Sequence, residues 1–328
     1  MSALPRLDAT QEAQAQPLIQ RYQPPANLRE RIMAPLLRAA MRFGVKPFFG
    51  PPWPFAVQRF AIGAGARLMP QDRRAVVTHE RIGALPVERI RPRDAQATQH
   101  VILYLHGGGF IAGSPRTHRP ITRRLCALTG ATVIVPDYRL GPEARFPAQI
   151  DDALMCYQAL LAEGWRGEQI VVAGDSAGGS LTYMLSAIAA QKGWPQPAGL
   201  VMISPALQFD AMLHATDHPK SAADPVIRLA LAESVMAALQ VPMSHPWADP
   251  MKQDLSSLPP TLLQVGEDEV LYDSADWLVR EATAAGRPIE MEVYMKRWHV
   301  FHVHAGLLPS ADRALMRIAE FMQRQWTA

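Results

Sequence analysis

The sequence predicts an α/β fold: an eight-stranded, mostly parallel sheet with helices on both faces, plus a helical cap. Two observations carry this prediction. Short runs at 100–105, 132–135, 170–173, 199–203, 261–265 and 289–294 are rich in apolar and β-branched residues, and most read as strands buried on both sides. Helical stretches at 117–128, 150–162, 177–191, 274–285 and 311–325 alternate with them, as parallel pairing requires. A hairpin over 75–81 and 85–90, turning near Gly83, supplies the first two strands. With 328 residues and 48% hydrophobic content, the chain can fill one large core.

In chain order, residues 1–70 are rich in Pro, Gln and Ala, with helical spacing over 28–41. Residues 46–55 are aromatic and proline-rich, which rules out a regular helix or a central strand. Phe48, Phe49, Trp53 and Phe55 there suit a strap or lid over an apolar, enclosed pocket. The main domain is expected over 71–206 and 248–328. Its alternation is broken once, after the sixth strand, by an insertion at 207–247. The insertion should hold a helix over 225–239, capped by Asp224 and started by Pro225. Residues 1–70 and the insertion together form the expected cap.

The bulk properties narrow the functions. Net charge is only +3 and the basic residues are scattered, which argues against nucleic acid as a partner. Arg116, Arg119, Arg123 and Arg124 are the densest basic spot and read as a solvated helix face. Cys126 and Cys156 sit in apolar helical patterns with no metal or disulfide spacing, as free thiols in a reducing compartment do. The N-terminus lacks a signal-type apolar core, and no run reaches membrane-spanning length. These features set the expectation of a cytoplasmic protein without a membrane span.

Two stretches carry chemistry. Gly174-Asp175-Ser176-Ala177-Gly178 lies between an apolar strand and a helix and fits the G-x-S-x-G elbow. There a serine sits on a strained turn with its hydroxyl exposed, and its flanks must be tiny. His106-Gly107-Gly108-Gly109-Phe110 follows another strand. Serial glycines let backbone N–H groups turn toward one point, which a developing oxyanion needs. A phosphate loop is disfavoured, because no Lys-Ser/Thr follows and Phe110-Ile111 is apolar.

These motifs, with Asp137-Tyr-Arg-Leu-Gly-Pro-Glu143 and Phe146-Pro147-Ala148 between them, resemble the hormone-sensitive-lipase-like family of α/β-hydrolase carboxylesterases over roughly residues 75–325. Gly141 departs from the family's usual Ala. The resemblance implies the α/β-hydrolase fold with a cap and assigns Ser176 as nucleophile. It implies the N–H groups of Gly108, Gly109 and Ala177 as the oxyanion hole, with Gly107 serving the turn and His106 ordering the loop. His299, in Trp298-His299-Val300-Phe301, resembles the family's His-Gly-Phe and is the expected general base. His302 and His304 read as core or surface residues; a metal site with His299 fits their spacing but is not needed. The orienting acid lies in Glu267-Asp268-Glu269. Aligning on the leucine and following acid selects Glu269, aligning on Gly266 selects Asp268, and the first is taken. Asp273 reads as a capping or network residue, Asp175 and Asp151-Asp152 as hydrogen-bonding anchors, and Asp137, Arg139 and Glu143 as a network beneath the oxyanion loop. No cofactor and no metal is expected.

The expected function is hydrolysis of short- to medium-chain acyl esters through an acyl-enzyme on Ser176. A lactone hydrolase or acyltransferase would use the same three residues, and a non-catalytic small-molecule receptor on an esterase-like fold is the reading of another class. The resemblance also implies a homodimer through the last edge strand, 289–294.

Overall fold

Among the described residues nine strands join one sheet. The computed structural model describes residues 17–94, 98–207, 218–242 and 244–327. The chain runs β1 (Leu18–Tyr22), α1 (Leu28–Ala40), α2 (Phe55–Arg67), β2 (Ala75–Ile82), β3 (Leu85–Pro92), β4 (Val101–Leu105), α3 (Arg119–Thr129) and β5 (Thr132–Pro136). It continues through α4 (Ala148–Ala162), β6 (Ile170–Asp175), α5 (Ala177–Gln191), β7 (Gly199–Ile203), α6 (Ala230–Leu239), β8 (Thr261–Gly266), α7 (Tyr272–Ala284), β9 (Ile289–Tyr294) and α8 (Pro309–Thr327). The strand order is β1-β9-β8-β7-β6-β4-β5-β3-β2, antiparallel only at β2–β3 and β3–β5.

The central strands are apolar along their length because both sides are covered. Side chains alternate across a strand, so Val101, Leu103 and Leu105 of β4 face one layer while Ile102 and Tyr104 face the other. The first layer is closed by α4, α5 and α7, through residues such as Tyr157, Leu181 and Leu278. The second is closed by α3 and α8, through Leu125, Ile318 and Phe321. The C-terminal ends of β4, β6, β7, β8 and β9 open toward one rim. Loops at that rim of a parallel sheet are where sites assemble.

Three expectations change. The sheet has nine strands rather than eight: β1, from the N-terminal segment, pairs in parallel with β9 from Leu18↔Glu290 to Tyr22↔Tyr294. Strand β9 is therefore internal, and a dimer formed by its edge is closed off. The insertion helix begins at Ala230 rather than at residue 225. Asp224 Oδ1 does accept from the N–H groups of Val226 and Ile227, at 2.8 and 3.0 Å, as a helix cap would, but its carbonyl accepts from Lys46 Nζ and residues 225–229 do not continue as a helix. Residues 1–16, 208–217 and 243 of the expected cap lie outside the described residues.

Candidate active site

The turn between β6 and α5 places Ser176 at φ 53°, ψ −122°, a backbone state that L-residues rarely adopt. The contact around it leaves no room for side chains. A Cβ on Gly178 would lie 1.9 Å from the carbonyl oxygen of Leu105, at the end of β4. The Ser176 N–H donates to the Ile203 carbonyl at 2.8 Å, tying the turn to β7.

The glycine loop after β4 is fastened by Asp175. This buried carboxylate accepts from the Tyr104 hydroxyl at 2.8 Å and from the Gly107 N–H at 3.1 Å, and sits 3.2 Å from His118 Nε2. Burial alone would raise its pKa, but His118, Tyr104 and His106 outweigh burial and hold it below the usual carboxylate value. The bond to Asp175 consumes the Gly107 N–H. The N–H groups of Gly108, Gly109 and Ala177 have no acceptor among the described residues. Gly108, at φ 123°, cannot be replaced: a Cβ there would meet the Ala112 carbonyl oxygen at 2.2 Å. His106 orders the loop from below, its Nδ1 2.9 Å from the Gly107 carbonyl and its own carbonyl accepting from the Tyr138 hydroxyl at 2.6 Å.

His299 follows β9 and lines the same cavity as Ser176. The two acid candidates, adjacent in sequence, go to different places. Glu269 is fully buried, its Oε2 3.5 Å from His299 Nδ1, a distance at the outer edge of hydrogen bonding. Asp268 turns away to Arg38 of α1, at 2.5 Å, and stays partly exposed. Burial draws the His299 pKa down, but Glu269, with Asp224 and Asp175 farther off, more than reverses this and leaves it raised.

Two residues not singled out for the site hold Glu269. Ser204, directly after β7, donates to Glu269 Oε2 at 2.7 Å and accepts from the Val300 N–H at 3.4 Å. Asp224 Oδ2, from the insertion, accepts from the Val270 N–H at 3.1 Å, fixing the backbone just past Glu269. Ser204→Ala should lower kcat by about ten-fold or more with KM little changed, since a bond to a charged acceptor is worth about 1.5–3 kcal/mol. An unaltered kcat in Ser204→Ala would remove Ser204 from the site.

Ser176 stands between two cavities. One of about 130 Å³ is lined by Met41, Val45, Phe49 and Ile62 from the N-terminal helical region and by His118 and Val303. The other, of about 50 Å³, is lined by Gly109, Ala177, Leu231, Val235 and Leu271. Phe49 borders both. Of the four aromatics at 48–55, it alone lines these cavities; Trp53 is exposed and packs on Phe48, ring centroids 5.3 Å apart.

Some other expected roles are met and others change. Arg139 pairs with Asp152 and Glu143 with Arg59, so Asp137, Arg139 and Glu143 do not form one network. His302 and His304 are buried and face Gln264 and the Phe301 carbonyl rather than gathering with His299. Arg119 and Arg124 are held by Glu88 and Asp72, so that face is paired rather than only solvated. Asp273 lies 3.3 Å from His218. Cys126 and Cys156 are buried free thiols, their pKa pushed up to about 12 by burial. Among the described residues no helix is long and apolar enough to cross a membrane.

A family model described as alpha/beta hydrolase fold matches residues 102–303. The chain is 36% identical over 245 residues to an acetyl-hydrolase of Streptomyces hygroscopicus, covering 74% of this chain and 81% of that protein. It is 35% identical over 283 residues to the esterase LipU of Mycobacterium tuberculosis, covering 83% of this chain and 93% of the relative. The crystal structure of an esterase from the bacterial hormone-sensitive lipase family matches with a TM-score of 0.82 at 31% identity, covering 92% of this chain and 99% of the other.

Proposed function

The chain belongs to the α/β-hydrolase family, among its hormone-sensitive-lipase-like carboxylic ester hydrolases, and from that premise we propose that it cleaves short- to medium-chain acyl esters through an acyl-enzyme on Ser176. The observation carrying this reading is that Ser176 and His299 line one cavity while the Glu269 carboxylate lies 3.5 Å behind the imidazole. His299 takes the Ser176 proton as the oxygen attacks the ester carbonyl. The N–H groups of Gly108, Gly109 and Ala177 hold the oxyanion. His299 then returns the proton to the leaving alcohol, and water repeats the sequence on the acyl-enzyme. Glu269, steadied by Ser204, keeps the Nδ1 side of His299 oriented and offsets its positive charge. The small cavity beside Ala177 and the name acetyl-hydrolase carried by the Streptomyces relative both support a short acyl group. In this reading α1, α2 and α6 act as the cap over the site.

The test is a fluorophosphonate probe with the adduct mapped by mass spectrometry. Labelling at Ser176, lost in Ser176→Ala, is expected; labelling elsewhere, or none, refutes the reading.

The pH dependence has a definite sign. His299 accepts a proton only when neutral, so activity is present above its pKa and lost as pH falls through it. Because that pKa is raised, the acid limb of kcat/KM should lie above the ordinary histidine value of 6.5. The charges facing His299 are those of Glu269, Asp224 and Asp175, and the Asp224 carboxylate raises its pKa. Asp224→Asn should therefore move the acid limb to lower pH. A limb that stays put or moves upward contradicts this electrostatic role.

A further inference from the structure

The outer surface of the segment over the site is unlike the rest of the protein. Among the described residues nine large apolar side chains are conspicuously exposed, and seven of them fall within residues 28–68. Helix α1 shows why. Its inner face, Glu30, Met33, Ala34 and Leu37, faces the protein, Leu37 packing in the cluster around Trp298, Phe301 and Leu308. Leu28, Ile32 and Leu36, spaced four apart, form a second apolar stripe on the outside. Phe43 follows at 74% exposure, and α2 adds Phe60 at 70%, with Leu68 just past its end at 80%.

The same segment concentrates positive charge. Residues 28–68 hold seven Arg and Lys and a single acid, Glu30, a formal +6, whereas the whole chain carries +3. Everything outside the segment is therefore net negative. Arg38 and Arg59 are engaged by Asp268 and Glu143. Arg29, Arg31 and Arg67 are exposed and have no acidic partner among the described residues. The inner sides of this segment line the larger cavity, through Met41, Val45, Ile62 and Ala66.

We propose that the outer face of α1, α2 and the turn between them docks on an anionic lipid–water interface, lying in the headgroup region with the cavity beside it. An exposed apolar stripe flanked by cations without an acidic partner, on helices too short to span a bilayer, is the pattern of a surface-lying segment. The charge selects the occupant. A second copy would set the cations of this face, Arg29, Arg31 and Arg67, against themselves, whereas an anionic surface complements them. Docking there would bring the cavity to where apolar esters partition. The proposal concerns binding and stands whether or not the Ser176 chemistry is as described.

The test is co-sedimentation of the full chain with vesicles of phosphatidylglycerol and phosphatidylcholine, against phosphatidylcholine alone. Binding to the anionic vesicles is expected to exceed binding to the neutral ones and to fall with salt. Leu36→Glu/Phe43→Glu should weaken it by about ten-fold or more. Arg31→Glu/Arg67→Glu should weaken it comparably and flatten its salt dependence. Neither pair lines the cavity, so turnover of soluble p-nitrophenyl acetate should be unchanged in both. No binding, equal binding to both vesicle types, or equal binding by the variants overturns the proposal. So does a concentration-dependent dimer in sedimentation equilibrium that Leu36→Glu/Phe43→Glu abolishes, since that face would then belong to a second copy.

Discussion

Replacing Ser176 by alanine is expected to lower kcat toward a short p-nitrophenyl ester by about four to six orders of magnitude, as removing the nucleophile of a three-residue relay does elsewhere. The substitution isolates chemistry from folding. Ser176 Oγ makes no hydrogen bond to the described residues, and alanine bears the positive φ of the turn as serine does. The thermal midpoint should therefore stay close to that of the unaltered chain. Gly178→Ala offers a contrast at the same turn. Its Cβ would press on the Leu105 carbonyl from 1.9 Å, so it should lose folded protein rather than turnover per folded molecule. A folded Ser176→Ala protein with near-normal kcat would refute the acyl-enzyme outright.

What the chain reveals before folding depends on how local the cause is. The alternation of apolar strands and helices is local, because a strand buried on both faces needs apolar residues at every position. The elbow and glycine loop are also local: both demand tiny residues where backbones meet, and Gly174, Gly178 and Gly108 stand out for that reason. Strand β1 has no such mark. Five residues, Leu18–Tyr22, become a strand only because β9 offers an open edge some 270 positions later. Asp224-Pro225 carries a helix-start signature, and one carboxylate oxygen does cap Val226 and Ile227, but the other is tied to the Val270 N–H, 46 residues away, and the helix begins only at Ala230. Ser204 could have been noticed, since it directly follows an apolar strand at the rim where sites form. That it holds Glu269 is a matter of how the β7 and β8 loops meet. The polarised N-terminal face is legible as composition, but that its apolar residues point outward is settled only by what α1 packs against.

The second large effect concerns two neighbouring acids. Glu269→Gln is expected to cost about 10⁴ in kcat, the loss that accompanies neutralising the buried carboxylate behind a catalytic histidine. Asp268→Asn should leave kcat within a few-fold. The reason lies in where each carboxylate ends. Glu269 has no exposed surface and shares its Oε2 between His299 and Ser204, so an amide there would both remove the charge facing the imidazole and disturb the bond that orients it. Asp268 forms a partly exposed pair with Arg38, of a kind worth about 0–1 kcal/mol in water, and its loss should read out as a small fall in stability. The comparison is informative in either direction, because both variants are isosteric and sit on one short loop. If Asp268→Asn proved the more damaging, the loop would have to rearrange during turnover, and Arg38 would have to release its partner for Asp268 to reach His299.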